Sequence, residues 1–178
     1  MKSVIFSAVF ALLCQTTDSY KTFECVQKDE APSVIPVAFY AYISRTFKAL
    51  SPYKPFIFDA VETNLGNGYD RKTGIFTASS SGVYAFSWTI HAAGTHHAGS
   101  SGSQFGEMAA VLTQNGVAKG SVYADTEKQH DDASATGFVI LAASKGDKFQ
   151  IICPMAGQGA FFSTKYNGRT SFSGYRIA

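Results

Sequence analysis

The clearest pattern in the chain is the alternation of large apolar residues with small or polar ones after Gly82. One set of alternate positions carries large apolar side chains: Tyr84, Phe86, Trp88 and Ile90. Period-two alternation with aromatic residues is typical of a β-strand with one buried face. The pattern therefore predicts a long strand whose aromatic side belongs to a hydrophobic core.

Other apolar segments bounded by turn residues predict further strands: Val37–Ile43, Phe56–Phe58, Met108–Leu112, Val117–Ala124, Gly137–Ala142 and Lys148–Cys153. The pair Asn115-Gly116 lies between two of them and is a strong hairpin signal, because both residues accept positive φ. No segment has the period of a long amphipathic helix. Many short strands separated by turns predict an all-β antiparallel sandwich or jelly roll.

Two of these strands, Val37–Ile43 and Gly137–Ala142, are apolar on both faces. An antiparallel strand with one solvated face should instead alternate apolar and polar residues. One apolar face can enter the core of the protomer, and the other needs a different cover. Together with a charged fraction of only 16%, this predicts that another subunit covers part of the surface.

The N-terminal residues 1–19 have the composition of a secretory signal peptide. Lys2 provides the positive start, Val4–Leu13 is an apolar run too short to span a bilayer, and Ser19 is a small residue suited to cleavage. No other apolar run is long enough to cross a membrane. The sequence thus predicts a secreted, extracellular protein with a short segment at 20–34 and one domain at 35–178.

Residues 58–88 combine an aromatic pattern with fixed spacings, carried by Phe58, Asn64, Tyr69, Phe76, Gly82, Tyr84, Phe86 and Trp88. This stretch resembles the signature of the complement C1q globular-head domain, with Trp88 where that family has Phe or Tyr. The C-terminal segment Thr170–Ile177, which reads TSFSGYRI, also resembles the end of that domain. The resemblance extends from Ile35 to Ala178.

The resemblance implies a ten-stranded antiparallel jelly roll, shared with tumour necrosis factor ligands, that assembles as a homotrimer with one sheet facing the threefold axis. It implies a secreted recognition module and not an enzyme. The signature residues are expected to form the core and not a binding site. The segment Tyr20–Val34 has no collagen or heptad repeat, so the chain resembles the head-only form of the family.

Invertebrate innate-immune members of the family imply the function of a lectin-like pattern-recognition protein that binds microbial polysaccharide or sialylated glycans. An extracellular-matrix or secretion structural module that binds calcium is an alternative. A cytokine-like ligand of a receptor is a third interpretation, since the fold is shared.

Polar and aromatic residues in the predicted loops are the candidates for sugar binding, because aromatic rings stack on sugars and polar groups bind hydroxyls. The candidates are Arg71, Lys72, His96, His97, Tyr123, Lys128, His130, Gln158, Tyr166 and Arg169. Ligand binding is expected to map to the loops Gly94–Gly106, Asp125–Ala133 and Gly157–Gly168, since loops on a rigid sandwich tolerate specialisation.

The carboxylates Asp125, Asp131 and Asp132 lie close together in sequence and are candidate calcium ligands. No EF-hand loop is present, so a charged, solvated loop is the other interpretation. The histidines at 96 and 97 have no carboxylate or cysteine at ligand spacing, which favours solvated side chains over a metal site.

Charge and motifs argue against several function classes. The formal net charge of +2 is too small to indicate binding to nucleic acid or to an anionic membrane. No nucleophile elbow, phosphate-binding loop or zinc-protease motif occurs, which disfavours an enzyme.

Two cysteines follow the predicted signal peptide. Cys153 shares a strand face with Phe149 and Ile151, and the sequence predicts a buried thiol that packs as a small hydrophobe. Cys25 lies in the polar segment before the domain, where pairing between chains is favoured over a bridge to Cys153.

Overall fold

The computed structural model describes residues 36–48, 50–94, 105–126 and 131–178, together with the backbone of two strands nearer the N-terminus. Those two strands, β1 (Leu13–Thr16) and β2 (Phe23–Val26), pair in an antiparallel hairpin with Cys14 opposite Cys25. They belong to a separate unit, Met1–Ile35, and the remaining chain forms a second compact unit, Pro36–Ala178. The described part of the chain contains no helix that is long and apolar enough to cross a membrane.

The second unit is built of antiparallel strands, as the apolar pattern predicts. Its strands in the described part of the chain are β3 (Ala38–Tyr42), β4 (Phe47–Lys48), β5 (Ala60–Leu65), β6 (Tyr69–Asp70), β7 (Ile75–Thr77), β8 (Gly82–Ala93), β9 (Glu107–Gln114), β10 (Val117–Asp125), β11 (Asp132–Ala143), β12 (Lys148–Ile152), β13 (Ala160–Phe161) and β14 (Ser171–Arg176). The all-β jelly roll is therefore confirmed. It is divided more finely than the ten strands expected, because β4, β6 and β13 are only two residues long.

The strands form two sheets that enclose one core. The first sheet has the order β10-β9-β12-β7-β6. In the second sheet the order is β4-β13-β8-β14-β3-β5, and β11 also pairs with β8. The long strand β8 is thus the centre of the second sheet, and it pairs with β11 along its whole length.

The inner face of β8 is the predicted aromatic face. Tyr84, Phe86 and Trp88 are at most 1% exposed. Phe86 reaches the opposite sheet, where its ring centroid lies 4.3 Å from that of Phe149. The interleaving of aromatic rings from both sheets accounts for much of the apolar burial that stabilises the sandwich.

The remaining residues of the C1q-like signature also lie in or against this core. Phe58 and Phe76 are fully buried, and the Tyr69 hydroxyl donates a hydrogen bond to the Phe58 carbonyl (3.1 Å). The Asn64 side chain donates to the Tyr69 carbonyl (2.9 Å) and accepts from its N–H (3.0 Å). Asn64 therefore holds the turn between β5 and β6, and the signature has a structural role.

One predicted strand is wrong. Residues 56–58 are not in a strand, although both phenylalanines are fully buried. Pro55 forms only an isolated bridge with Ile152, and Phe56 donates one hydrogen bond to the Ile151 carbonyl (2.9 Å). Proline has no N–H and cannot continue a ladder. The segment is apolar because its phenylalanines are buried, although it does not pair with a neighbouring strand. The apolar pattern alone therefore led to the incorrect prediction of a strand.

The predicted loop Asp125–Ala133 is shorter than expected, because β10 extends to Asp125 and β11 begins at Asp132. The polar residues at both ends of this segment occupy strand positions that face solvent, so their polarity does not signal a loop. Predicted strand ends elsewhere differ by a few residues, as is usual for pattern-based boundaries.

Candidate functional site

The predicted ligand residues are dispersed over several parts of the sandwich. Tyr123 and Gln158 lie near one end of it, close to the start of β9. His96, His97, Lys128 and His130 fall outside the described residues. The others occupy separate places: Arg71 and Lys72 in the turn between β6 and β7, and Tyr166 and Arg169 in the segment between β13 and β14.

Glu107, the first residue of β9, connects two of the predicted ligand residues. Two backbone hydrogen bonds join it to Gln158. The Glu107 N–H donates to the Gln158 carbonyl (3.1 Å), and the Gln158 N–H donates to the Glu107 carbonyl (2.8 Å). Its carboxylate accepts a hydrogen bond from the Gln158 side-chain amide (2.7 Å) at Oε2 and one from the Tyr123 hydroxyl at Oε1. The antiparallel register places Asp125 directly opposite Glu107. We call Glu107, Tyr123, Asp125 and Gln158 the Glu107 cluster.

The backbone beneath the Glu107 cluster is fixed by close packing. A Cβ on Gly106 would lie 2.5 Å from the Ala93 nitrogen, so only glycine lets these two segments meet. The Gly106 N–H donates to the Thr126 hydroxyl and the Thr126 N–H donates to the Gly106 carbonyl, both at 2.9 Å. Thr126 is buried. Gly106, Thr126 and Gln158 lie at the ends of the three predicted ligand loops, and backbone hydrogen bonds therefore hold these three loop ends close to the start of β9.

The electrostatics of the Glu107 cluster are those of an acidic site. The hydrogen bond to Glu107, with smaller contributions from the negative charges of Glu107 and Asp125, raises the pKa of Tyr123 to about 12. The raised pKa means that the Tyr123 hydroxyl keeps its proton, and stays a donor, at a higher pH than an ordinary tyrosine. Tyr123 is 49% exposed, so part of its side chain is available to a ligand. Aromatic ring, carboxylate and amide together can stack on a sugar and bind its hydroxyls.

Sequence reasoning missed Glu107, which is the central residue of this cluster. The signal that could have found it is the Asn115-Gly116 hairpin, which brings the start of β9 beside the end of β10. Counting residue pairs from this turn towards the open end of the hairpin leads to Glu107 on β9 and Asp125 on β10. The residue was overlooked because it precedes the apolar run of Met108–Leu112.

Arg169 belongs to a different cluster. Its guanidinium carbon lies 3.7 Å above the centre of the Tyr42 ring, and its Nη1 is 3.8 Å from Glu62 Oε1. The Tyr42 hydroxyl donates to the same carboxylate oxygen (3.1 Å). The guanidinium is thus held by an aromatic ring and a carboxylate, away from the Glu107 cluster.

Tyr166 lies at the tip of a tight turn and is 85% exposed. The turn is closed by the Thr164 N–H donating to the Gly168 carbonyl (2.9 Å), and Lys165 Nζ lies 5.3 Å from the centre of the Tyr166 ring. Gly168 packs against His91, because a Cβ on it would lie 2.6 Å from that ring. Burial lowers the pKa of His91.

The turn that carries Arg71 and Lys72 is organised by Asp70. Its carboxylate accepts hydrogen bonds from the Lys72 N–H (2.8 Å) and the Thr73 hydroxyl (3.0 Å). These hydrogen bonds lower the pKa of Asp70. Both basic side chains are exposed at the edge strand β6, and the contacts seen here are those of a structural turn.

The structure does not assemble a metal site from Asp125, Asp131 and Asp132. Within the described residues, no group of three His, Cys, Asp or Glu side chains could hold a metal ion. The segment 127–130, between two of these aspartates, lies outside the described residues. Calcium binding by this loop stays a prediction.

Cys153 is a free, fully buried thiol that donates to the Met155 carbonyl (2.9 Å), and burial raises its pKa. It shares its buried environment with Phe149 and Ile151, as the sequence predicts. The pairing of Cys25 between chains stays a prediction.

The fold defines a class of protein, the antiparallel jelly roll that C1q and tumour necrosis factor domains share. The chain belongs to the C1q family: the model of the C1q domain matches residues 38–177. Members of this class are binding and structural modules and not enzymes, in agreement with the sequence-based expectation.

Comparison with known sequences gives two relatives from Mus musculus. The chain is 29% identical to the collagen alpha-1(X) chain over 141 residues, which cover 79% of this chain and 18% of the collagen chain. It is 32% identical to complement C1q tumor necrosis factor-related protein 3 over 117 residues, which cover 66% of this chain and 43% of that protein. The chain thus spans less than half the length of either relative.

Solved structures with the same fold include the globular domain of zebrafish complement 1qA protein, with a TM-score of 0.55 at 21% identity over 80% of this chain and 98% of that one. Eiger TNF from S. frugiperda has a TM-score of 0.56 at 12% identity over 82% of this chain and 94% of that one. At these identities the likeness concerns the fold alone.

Proposed function

We propose that this chain is a secreted recognition protein that self-associates as a homotrimer and binds glycans, either microbial polysaccharide or sialylated sugars, with its loop end. The observation that carries the proposal is the Glu107 cluster, in which an exposed ring, a carboxylate and an amide meet at the base of three loops. This combination matches the stacking and hydrogen-bonding groups of a sugar.

Self-association is supported by the outer face of the second sheet. Phe138 and Ile140 of β11 are 61% and 56% exposed, and Tyr175 of β14 is 51% exposed. The register places Ile140 and Tyr175 on either side of Ala85 of β8. A contiguous exposed apolar surface of this kind marks an interaction site, and the C1q resemblance implies a threefold assembly about one sheet.

Assembly would strengthen weak sugar binding. A single shallow site on an exposed surface has limited affinity, whereas linked copies raise the effective concentration at a repetitive polysaccharide without any new contact. Recognition of repetitive surfaces is thus expected to need the assembled form.

An extracellular structural module is a second candidate, favoured by the similarity to the collagen alpha-1(X) chain. It predicts abundance in a matrix and assembly that depends on calcium. A protein that shows these properties and binds no glycan would fit this second candidate.

The test of glycan binding is an array of immobilised polysaccharides and sialylated glycans probed with the secreted protein. Tyr123→Asn should weaken binding about five- to tenfold, the effect of losing one aromatic contact. Tyr53→Asn is the control, because Tyr53 is 78% exposed in the loop between β4 and β5, is not a member of the Glu107 cluster, and has a φ of 61° that suits asparagine. Equal losses in both variants, or no glycan bound by the wild type, would contradict the proposal.

A further inference from the structure

The Glu107 carboxylate retains acceptor capacity beyond the two side-chain hydrogen bonds that it accepts. An ionised carboxylate offers roughly four acceptor sites. Tyr123 and Gln158 each donate one hydrogen bond to it. About two sites are left over for an incoming donor, and the carboxylate is already oriented by the two bonds that it accepts. Vicinal sugar hydroxyls are donors of the right kind, and hydrogen bonds to an ionised group are the stronger ones.

The charge around this carboxylate is not neutralised by the described residues. Glu62 forms an ion pair with Arg169. In the described part of the chain, no basic side chain forms such an ion pair with Glu107. Asp125 lies directly across the ladder and adds a second carboxylate. Both charges act on the Tyr123 hydroxyl and disfavour its ionisation. An anionic group held on the Tyr123 ring would meet the same repulsion.

We propose, building on the glycan-binding function above, that the Glu107 cluster selects neutral, hydroxyl-rich sugars and rejects sialylated ones. A neutral sugar stacks on Tyr123 and donates its hydroxyls to Glu107. The carboxylate of a terminal sialic acid would lie close to Glu107 and Asp125, where like charges oppose binding. The cluster therefore acts as a charge filter between the two ligand classes that the family resemblance leaves open.

The experiment compares a matched pair of probes, N-acetyllactosamine with and without terminal sialic acid, together with yeast mannan as a neutral microbial polysaccharide. The full secreted protein is used at 0.05 M and 0.5 M NaCl, concentrations that bracket strong and weak screening with Debye lengths of roughly 14 and 4 Å. We expect the wild type to bind the neutral probes at least about tenfold more tightly than the sialylated one at low salt. The ratio should shrink at high salt.

Glu107→Gln removes one of the two charges and keeps the shape, so it should lower the neutral-to-sialylated ratio severalfold, with Asp125 left as the remaining carboxylate. Glu62→Gln, which removes a surface carboxylate charge from the separate Tyr42–Arg169 cluster, should leave the ratio unchanged. Thermal unfolding of each variant shows whether it is folded. If Glu107→Gln does not fold, the test is the salt dependence of the neutral-to-sialylated ratio of the wild type.

The outcomes separate this inference from the proposed function. Preferential binding of the sialylated probe would overturn the charge filter. So would a neutral-to-sialylated ratio that changes neither with salt nor in Glu107→Gln. Both outcomes leave glycan binding itself in place. Failure to bind any of the probes and any glycan of the array overturns both.

Discussion

Trp88 is enclosed in the core between two glycines that belong to different sheets. A Cβ on Gly137 of β11 would lie 2.3 Å from Trp88 Cζ2, and one on Gly120 of β10 would lie 2.9 Å from its Cη2. The indole is 1% exposed. Neither glycine has positive φ, so close approach, and not backbone freedom, explains why no side chain is present at these positions.

Gly137→Ala is predicted to lower the free energy of unfolding by about 1–3 kcal/mol, the usual cost of overpacking a core. The reason is the contact with Trp88, so the same substitution should cost much less in a Trp88→Phe background, where the atoms nearest the new methyl group are gone. Urea unfolding of the two single variants and the double variant measures this coupling. Additive effects would show that the indole does not pack on Gly137.

At the scale of the element, the β9–β10 hairpin decides where the candidate site lies. Gln114 pairs with Val117 and Thr113 with Ala118, but beyond a bulge Leu112 pairs with Gly120 and not with its neighbour. A one-residue shift of register moves side chains to the other face of a sheet. Because of the bulge, Tyr123 pairs with Ala109 and faces solvent instead of the core.

This bulge marks the limit of what the sequence predicts. The Asn115-Gly116 turn and the alternation on both strands are local signals, and they predict the hairpin correctly. The bulge depends on contacts between sheets, including the approach of Gly120 to Trp88. The partnership of Glu107 with Gln158 joins residues far apart in sequence. The core aromatics could therefore be predicted, whereas the geometry of the Glu107 cluster could not.

The opposite end of the same hairpin is held by Asp147. Its carboxylate accepts hydrogen bonds from the side chains of Asn115 (2.8 Å) and Gln114 (2.8 Å) and from the Ser144 N–H (2.9 Å). These bonds, led by that from Asn115, lower the pKa of Asp147 below its ordinary value of 3.8. One carboxylate thus joins two turns that are distant in sequence.

Asp147→Asn is predicted to reduce stability at neutral pH and to flatten its dependence on acid. A carboxyl whose pKa is lower in the folded state stabilises the fold fully above 3.8, and this contribution disappears as the pH falls through the folded-state pKa. Thermal midpoints between pH 7 and pH 2.5 provide the measurement. Asp131→Asn, which removes the same charge from an exposed position, serves as the control. Parallel pH profiles for wild type and Asp147→Asn would contradict this role.

At the scale of the whole molecule, the two proposed functions use different surfaces. Self-association would cover Phe138, Ile140 and Tyr175 on the outer face of the second sheet. Glu107 and Tyr123 belong to strands of the first sheet, so an interface on the outer face of the second sheet would not need to cover them. The separation allows a trimer to present three copies of the Glu107 cluster to one polysaccharide.

The exposed apolar face also explains why β11 lacks the alternation expected of a solvated sheet. Val139 and Leu141 of β11 pack against the core, while Phe138 and Ile140 on the other side of the strand remain exposed in the protomer. Exposing such residues in water is unfavourable, and burying each stabilises an assembly by roughly 1–2 kcal/mol. Their position predicts an interface and not a second core.

The most direct test of this account is the mass of the secreted protein in solution, measured by light scattering during size-exclusion chromatography at micromolar concentration. The wild type is predicted to have three times the mass of the protomer. Phe138→Glu places a charge in the proposed interface and should dissociate it without loss of β-structure, whereas Tyr53→Glu places the same charge at an exposed position outside that interface and should leave the trimer intact. A wild type that is a stable monomer under these conditions would contradict the account.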